Sequence, residues 1–271
     1  MTGSAGNFTT SRALPSYRNP PIDEVVCGMQ FYPSDKLRIP HVGCLWERLR
    51  SEYPNIQHAP PIGSTKGEVL VDKDTGIPFS RVWFISGSDD QLVQFQMDRF
   101  YFNWRRRQAA YPRYEYVIEK FEAVFKKITE FFAEFKLGEL TPRECELTYI
   151  NHIPKGQGWD TVEDLPRVFT DFVWKQKEER FLPHPDKFAW NAEFPFPTMN
   201  GSLTASLKQA IRIEDKVPLL VLELKTRGIG KTVNKKAIRE WFDTAREWIV
   251  RGFADLTTPE IQEIWEREKN D

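Results

Sequence analysis

Residues 98–107, DRFYFNWRRR, combine four aromatic side chains with four arginines. The preceding residues 91–97, QLVQFQM, alternate polar and apolar side chains, as expected for a strand with one buried face. Strict alternation through both segments would place the rings of the second segment on the polar face of the first. Burial of these rings is more favourable than burial of Asn103 and Arg105. We therefore predict a β-bulge near Asp98 and Arg99 that keeps the aromatic residues on the covered face.

The opposite face of this strand is polar and is expected to face solvent. It is either the solvated face of an ordinary antiparallel strand or a recognition surface, because Asn, Tyr and Arg donate hydrogen bonds in fixed geometry. Residues 144–153, ECELTYINHI, form the corresponding strand of the second half of the chain. Asn103 and Asn151 have poor strand propensity, which favours a specific hydrogen bond, structural or functional, for each. The candidate partner-binding or ligand-binding residues are Arg99, Tyr101, Asn103, Trp104, Arg105, Asn151 and His152.

The order strand, helix, several strands, long helix is predicted twice along the chain. The sequence therefore favours an α+β fold of two fused β-α-β(3-4)-α repeats, similar to a helix grip, with an antiparallel sheet and long helices packed on one face. We assign residues 1–21 to a flexible tail and extended arm, 22–138 to the first repeat, and 139–271 to the second repeat with a C-terminal helix. Predicted strands cover residues 24–32, 68–72, 79–86, 91–105, 144–153, 188–196, 202–213 and 219–226; predicted helices cover 40–53, 113–135, 161–174, 235–253 and a short helix capped by Thr258.

The composition is that of an ordinary globular protein, with a net charge of −1 over 271 residues. This charge argues against electrostatic binding of nucleic acid by the whole surface. The three cysteines suit neither a disulfide framework nor a metal site, and no apolar run has the length of a membrane span. We expect a cytoplasmic protein that needs no cofactor and does not bind a membrane.

Several motifs resemble those of a family of prokaryotic proteins of about this length that are uncharacterised and sporadically distributed. The resemblance extends from Leu14 to Trp265 and rests mainly on NPP followed by EVV (residues 19–26), RFYFNW (99–104), TYINHI (148–153) and DLTT (255–258). It implies one full-length unit and suggests a mobile or defence-type gene context, but it implies no activity. The family often has a histidine near the position of Arg246, so the resemblance implies no catalytic histidine here.

One pattern is typical of catalysis on nucleic acids. Asp215, followed by Glu223 and Lys225 on a predicted strand, resembles the ligand set of metal-dependent nucleases, in which carboxylates bind Mg²⁺ and lysine positions water or phosphate. Such E-x-K triplets are also frequent by chance, and Asp215 falls on a predicted turn. The four histidines are scattered, which disfavours a metal site.

Two classes of function therefore remain. The first, which the aromatic content and near-zero charge favour, is a non-catalytic binding or regulatory module that holds a partner protein or a small ligand. Self-association is expected as well, because an open sheet has two free edges. The second is a protein that acts on nucleic acid, either as a nuclease through the E-x-K strand or as a single-strand binder through Trp104 and its neighbouring arginines.

Overall fold

A computed structural model describes residues 13–63, 70–175 and 179–268. Within these ranges the chain forms an α+β fold with five α-helices and one antiparallel sheet of nine strands. The strands are β1 (Ile22–Phe31), β2 (Asn55–Ala59), β3 (Arg81–Ile85), β4 (Gln91–Gln96), β5 (Arg99–Arg105), β6 (Pro142–Pro154), β7 (Ala189–Pro195), β8 (Ser202–Ile211) and β9 (Pro218–Gly228). Across the sheet they follow the order β2-β3-β4-β5-β1-β6-β9-β8-β7.

The helices differ greatly in length. A short 3-10 turn, Val162–Asp164, precedes the third of them. The first helix contacts β3 and the second helix, the second helix contacts β1 and β5, and the fourth contacts β6, β8 and β9. They are α1 (Pro40–Leu49), α2 (Tyr114–Glu134), α3 (Leu165–Val168), α4 (Lys235–Leu256) and α5 (Pro259–Ile264).

Strand β1 lies at the centre of the sheet and joins the two halves of the chain. Its residue Cys27 is paired with Phe102 of β5 on one side and with Leu147 of β6 on the other. These three side chains are fully buried and share one face of the sheet, which we call the apolar face. The first and second halves therefore meet along the β1–β6 ladder.

The aromatic residues of β5 lie on the apolar face, as predicted, but the predicted bulge is wrong. Gln96 of β4 is paired with Arg99 of β5, so Met97 and Asp98 form a two-residue hairpin turn between them. A two-residue turn reverses the chain direction, so that Phe100 on β5 lies opposite Phe95 on β4 and both face the same side of the sheet. The aromatic residues thus reach the covered face without a bulge. The ring of Phe100 then stacks on Phe121 of α2, with 5.3 Å between the centroids.

The aromatic core continues from α2 to α4 and connects the helices of the two halves. The Phe121 ring lies 4.9 Å from that of Phe242 in α4, measured between centroids. Helix α4 starts at the N-cap Asn234, whose side chain accepts a hydrogen bond from the Ala237 amide at 2.9 Å. Its apolar stripe, predicted from the 3.6-residue period, is buried as expected.

One predicted helix is wrong in length, and one strand was not predicted. The predicted helix over 161–174 is confined to the 3-10 turn and α3, because Phe169 is extended and forms a β-bridge with Thr257. Strand β2 was missed, since its residues are almost all exposed and show no apolar alternation. The predicted strand 68–72 and the tail 1–12 fall partly or wholly outside the described residues.

An extended arm, residues 14–21, runs beside the C-terminal end of the described chain. Tyr17 forms an antiparallel bridge with Arg267, and the Ser16 hydroxyl donates to Glu268 Oε2 at 2.6 Å. Arg113 Nη1 donates to the Tyr17 carbonyl at 3.0 Å and ties the arm to the start of α2. The predicted cap of the last helix is confirmed, because the Thr258 side chain accepts from the Ile261 amide.

Candidate functional site

The second face of the sheet, which we call the polar face, is buried on its central strands β4, β5 and β1, whereas its residues on β7 and β8 are partly or fully exposed. We expected its side chains on β4 and β5 to face solvent, and this is wrong: Arg99 and Asn103 are each only 3% exposed. Part of the cover comes from the loop that follows β2, where the Ile62 amide donates to Gln96 Oε1 at 2.8 Å and Gln96 Nε2 donates back to the Ile62 carbonyl. The remaining polar atoms on this face largely satisfy one another.

A chain of hydrogen bonds crosses four strands of the polar face. Arg81 Nη1 donates to Gln94 Oε1 at 3.0 Å, and Gln94 Nε2 donates to Asn103 Oδ1 at 2.9 Å. Asn103 Nδ2 in turn donates to Glu24 Oε1 at 2.6 Å. Burial raises the pKa of Glu24 despite the opposing effects of the Asn103 hydrogen bond and the Arg105 charge. The unfavourable strand propensity of Asn103 is thus explained by its two side-chain hydrogen bonds.

A buried ion pair occupies the hairpin turn. Arg99 donates through Nε and Nη2 to the two carboxylate oxygens of Asp98, at 2.8 and 2.7 Å. Burial alone would lower the pKa of Arg99, but the hydrogen bonds and charge of Asp98 and Tyr101 outweigh it and raise the pKa. Tyr101 lies flat over Gly28, where a Cβ atom would overlap its ring. The ion pair therefore stabilises the turn, and the Tyr101–Gly28 contact packs β5 closely against β1.

The polar network continues into the second half of the chain. Arg227 Nε of β9 donates to Glu146 Oε2 of β6 at 2.8 Å, and Gln30 of β1 donates to Glu144 at 2.6 Å. Burial, followed by the Glu146 charge, raises the pKa of Tyr101 to about 12. Polar side chains therefore pair between neighbouring strands of the polar face in several groups from β3 across to β9.

The structure divides the seven predicted binding residues between the two faces. Trp104 is buried on the apolar face against Tyr111, and Asn151 lies on that face with its Nδ2 donating to the Leu222 carbonyl at 3.1 Å. Arg105 pairs with Asp89, while His152 Nδ1 lies 3.3 Å from an oxygen of Asp23. The residues on the polar face are Arg99, Tyr101, Asn103, Arg105 and His152.

The alternative catalytic residues do not come together. Lys225 Nζ lies 2.5 Å from Glu223 Oε1 on β9, whereas Asp215 lies on the turn before that strand and pairs with Arg212 at 3.2 Å. At about 3.3 Å per residue, the turn and the middle of β9 are well separated. Among the described residues, no cluster of three or more His, Cys, Asp or Glu side chains is placed to hold a metal ion.

A cavity of about 110 Å³ lies beneath the arm at the junction of the two halves. The Tyr111 and Tyr149 hydroxyls are hydrogen-bonded to each other there at 2.9 Å. Burial raises the pKa of both tyrosines, so both stay protonated. The sequence analysis singled out Asn151 but missed the cavity, whose walls include Tyr17, Ile22, Tyr111, Arg113, Tyr114, Tyr149, Asn151, Leu224, Arg246, Ile249, Val250 and Phe253.

Arg246 of α4 reaches across to the start of α2 beside this cavity. Its Cζ lies 4.7 Å from the Tyr114 ring centroid, and its Nη1 donates to Glu115 Oε1 at 3.0 Å. Its positive charge opposes the burial effect on the pKa of both Tyr111 and Tyr149, and its side chain lines the same cavity as theirs. The position where the resembled family often has a histidine is therefore occupied by a cation that borders the cavity.

Comparison of the sequence with known protein families and curated proteins, and of the fold with solved structures, found no match. The family resemblance therefore stays a prediction. No helix in the described parts of the chain is both long and apolar enough to cross a membrane.

Proposed function

We propose that this protein is a non-catalytic binding or regulatory module that holds a small ligand or a partner protein. The observation that carries the proposal is the cavity between the two halves. It is lined by the hydrogen-bonded Tyr111 and Tyr149, by Asn151 and Arg246, and by mostly apolar side chains. A few placed polar groups in an apolar cavity are typical of small-molecule sites. Because α2, α4, the sheet and the arm all contribute, occupancy would affect how the halves and the arm fit together.

We also propose that the chain consists of two fused repeats of helix-grip type. The element orders β1-α1-β2-β3-β4-β5-α2 and β6-α3-β7-β8-β9-α4 support this, as does the pairing of the first strands of the two halves, β1 and β6, at the centre of the sheet. In such an arrangement a site at the junction belongs to neither repeat alone.

Self-association would use the outer strands β2 and β7. Most of their side chains are exposed, and each strand has a neighbour on one side only. An unpaired strand edge is a template for strand addition by another chain. Equilibrium sedimentation of wild type and Asn191→Pro, a change within β7, would show whether an edge is used.

The nucleic-acid alternative has less support. Arg105 and Arg107 both pair with Asp89, and Arg106 donates to the carbonyls of Pro20 and Ile22. These arginines therefore act within the fold, where they hold the arm and the β3–β4 turn. A nucleic-acid binder would instead show affinity that falls steeply with salt.

Native mass spectrometry of protein isolated from its own cells tests the proposal directly. We expect wild type to retain an added mass that is released on unfolding, and Val250→Phe, which fills the cavity, to lose it. Val173→Phe is the matched control, because residue 173 is 86% exposed. Identical spectra for wild type and Val250→Phe would overturn the proposal, and nucleic acid in the sample, detected by ultraviolet absorbance, would favour the alternative.

A further inference from the structure

One hydroxyl hydrogen of the Tyr111–Tyr149 pair takes no part in the hydrogen bond between them. Two hydroxyl groups carry two hydrogens, and the contact between Tyr111 and Tyr149 uses one of them. No other hydrogen bond to either hydroxyl is formed by the described residues. One phenolic O–H is therefore left to donate to an acceptor within the cavity.

The charged side chains that line the cavity are basic, although Arg246 is paired with Glu115 and Tyr114 donates to Asp243. Among the described residues that line it, the charged ones are Arg113 and Arg246. Arg246 uses a single N–H donor for Glu115, out of the five that a guanidinium carries. An acceptor that bears negative charge would therefore suit both the unused phenolic hydrogen and the remaining donors of Arg246 in this cavity.

Most of the remaining lining residues are apolar, and the space is small. Ile22, Leu224, Ile249, Val250 and Phe253 contribute hydrocarbon surface. A cavity of about 150 Å³ accommodates benzene, so the present 110 Å³ matches at most one ring or a short branched chain. A bare, strongly hydrated anion such as phosphate would lose hydration without filling these walls.

We infer that the cavity binds a small carboxylate that carries one apolar ring or branched chain. This inference rests on the proposed binding function and names its ligand class. The carboxylate accepts hydrogen bonds from the tyrosine pair and from Arg246, and the hydrocarbon part packs against Ile249 and its apolar neighbours. Charge-assisted hydrogen bonds of this kind are about twice as strong as neutral ones. The arm closes over the ligand through Tyr17.

The test is a calorimetric titration of the full chain with benzoate, benzyl alcohol and acetate as probes. We expect benzoate to bind at least about tenfold more tightly than either of the others, because only benzoate combines the ring with the charge. Arg246→Gln should weaken benzoate binding about tenfold and Tyr111→Phe about fivefold, while leaving benzyl alcohol less affected. The matched controls are Arg167→Gln, in an exposed pair with Glu260, and Tyr116→Phe, which lies outside the cavity.

Methyl resonances of Ile249, Val250 and Leu224 provide a second readout in wild type, which decides the question even if Arg246→Gln does not fold. Shifts with benzoate and not with benzyl alcohol support the inference. Equal responses to the two probes, or no response to benzoate, overturn it. If benzoate fails but native mass spectra of wild type show a bound mass that Val250→Phe lacks, only the ligand class is wrong. If wild type shows no bound mass either, the proposed function is wrong as well.

Discussion

Both faces of the central strands β5 and β1 are buried, but different forces hold the two faces. On the apolar face, rings such as Phe100 and Phe121 stack between β5 and α2. On the polar face, Asp98, Arg99 and Asn103 are as deeply buried, and hydrogen bonds and charge hold them. Packing losses depend on the volume removed, whereas a buried polar network suffers whenever one partner is removed and the other remains. The two faces should therefore respond differently to substitution.

The largest effect is expected on the apolar face. Phe100→Ala should lower the free energy of unfolding by about 4 kcal/mol, because it opens a cavity where the Phe121 and Phe125 rings now stack. Urea denaturation measures this. Phe181→Ala is the matched control, since that ring is 99% exposed and its loss should be nearly neutral. Equal effects of the two changes would contradict the packing described for α2.

A comparable loss is expected at the hairpin turn. Asp98→Ala should cost about 3 kcal/mol, because it leaves the Arg99 guanidinium buried without its partner. The double change Asp98→Leu with Arg99→Met removes both charges and should cost less than the single change, although more side-chain atoms differ. If the double variant is less stable than Asp98→Ala, the polar face does not depend on paired charges in the way proposed here. Both are measured by urea denaturation.

A smaller loss is expected in the middle of the polar chain. Asn103→Ala should cost about 2 kcal/mol, because the Gln94 amide loses its acceptor and the Glu24 carboxyl loses its donor. The same variant separates structure from recognition. If it binds benzoate like wild type after correction for its lower stability, Asn103 acts in the fold and not in the cavity.

The smallest effect concerns pH. Because burial raises the pKa of Glu24 in the folded state, protonation of this carboxyl favours folding, and that contribution is lost as pH rises through the folded-state pKa. Glu24→Gln should therefore be more stable than wild type near neutral pH, by less than about 1 kcal/mol. The advantage should shrink as pH falls to the usual range of glutamate. Urea denaturation at each pH measures this, with the exposed Glu139→Gln as the matched control.

Much of the fold was predictable because long elements have strong periodicity. The stripes of α2 and α4 and the alternation in β6 and β9 are set by burial of one side of each element. Edge strand β2 and the 3-10 turn before α3 were not predictable in this way. The first has no buried side, and the short α3 ends where Phe169 pairs with a residue 88 positions away, Thr257.

The candidate site was harder to predict, because it depends on which distant elements meet. The mid-strand asparagines pointed correctly to specific hydrogen bonds at Asn103 and Asn151. Nothing in the local sequence, however, indicates that Tyr111 meets Tyr149 or that Arg246 lines the same cavity. The aromatic and basic residues of 98–107 were predicted to form a binding surface, yet most of them are buried in the core or form ion pairs within the fold.

The contact between Ser16 and Glu268 spans 252 positions along the chain. The ribosome makes the chain from the N-terminus, so Ser16 of the arm cannot contact Glu268 until nearly all of the described chain has been synthesised. The wall that the arm provides for the cavity is therefore among the last parts to assemble. Contacts of such high sequence separation slow folding. A ligand present in the cell would meet an unfinished cavity for most of the time that the chain takes to be made.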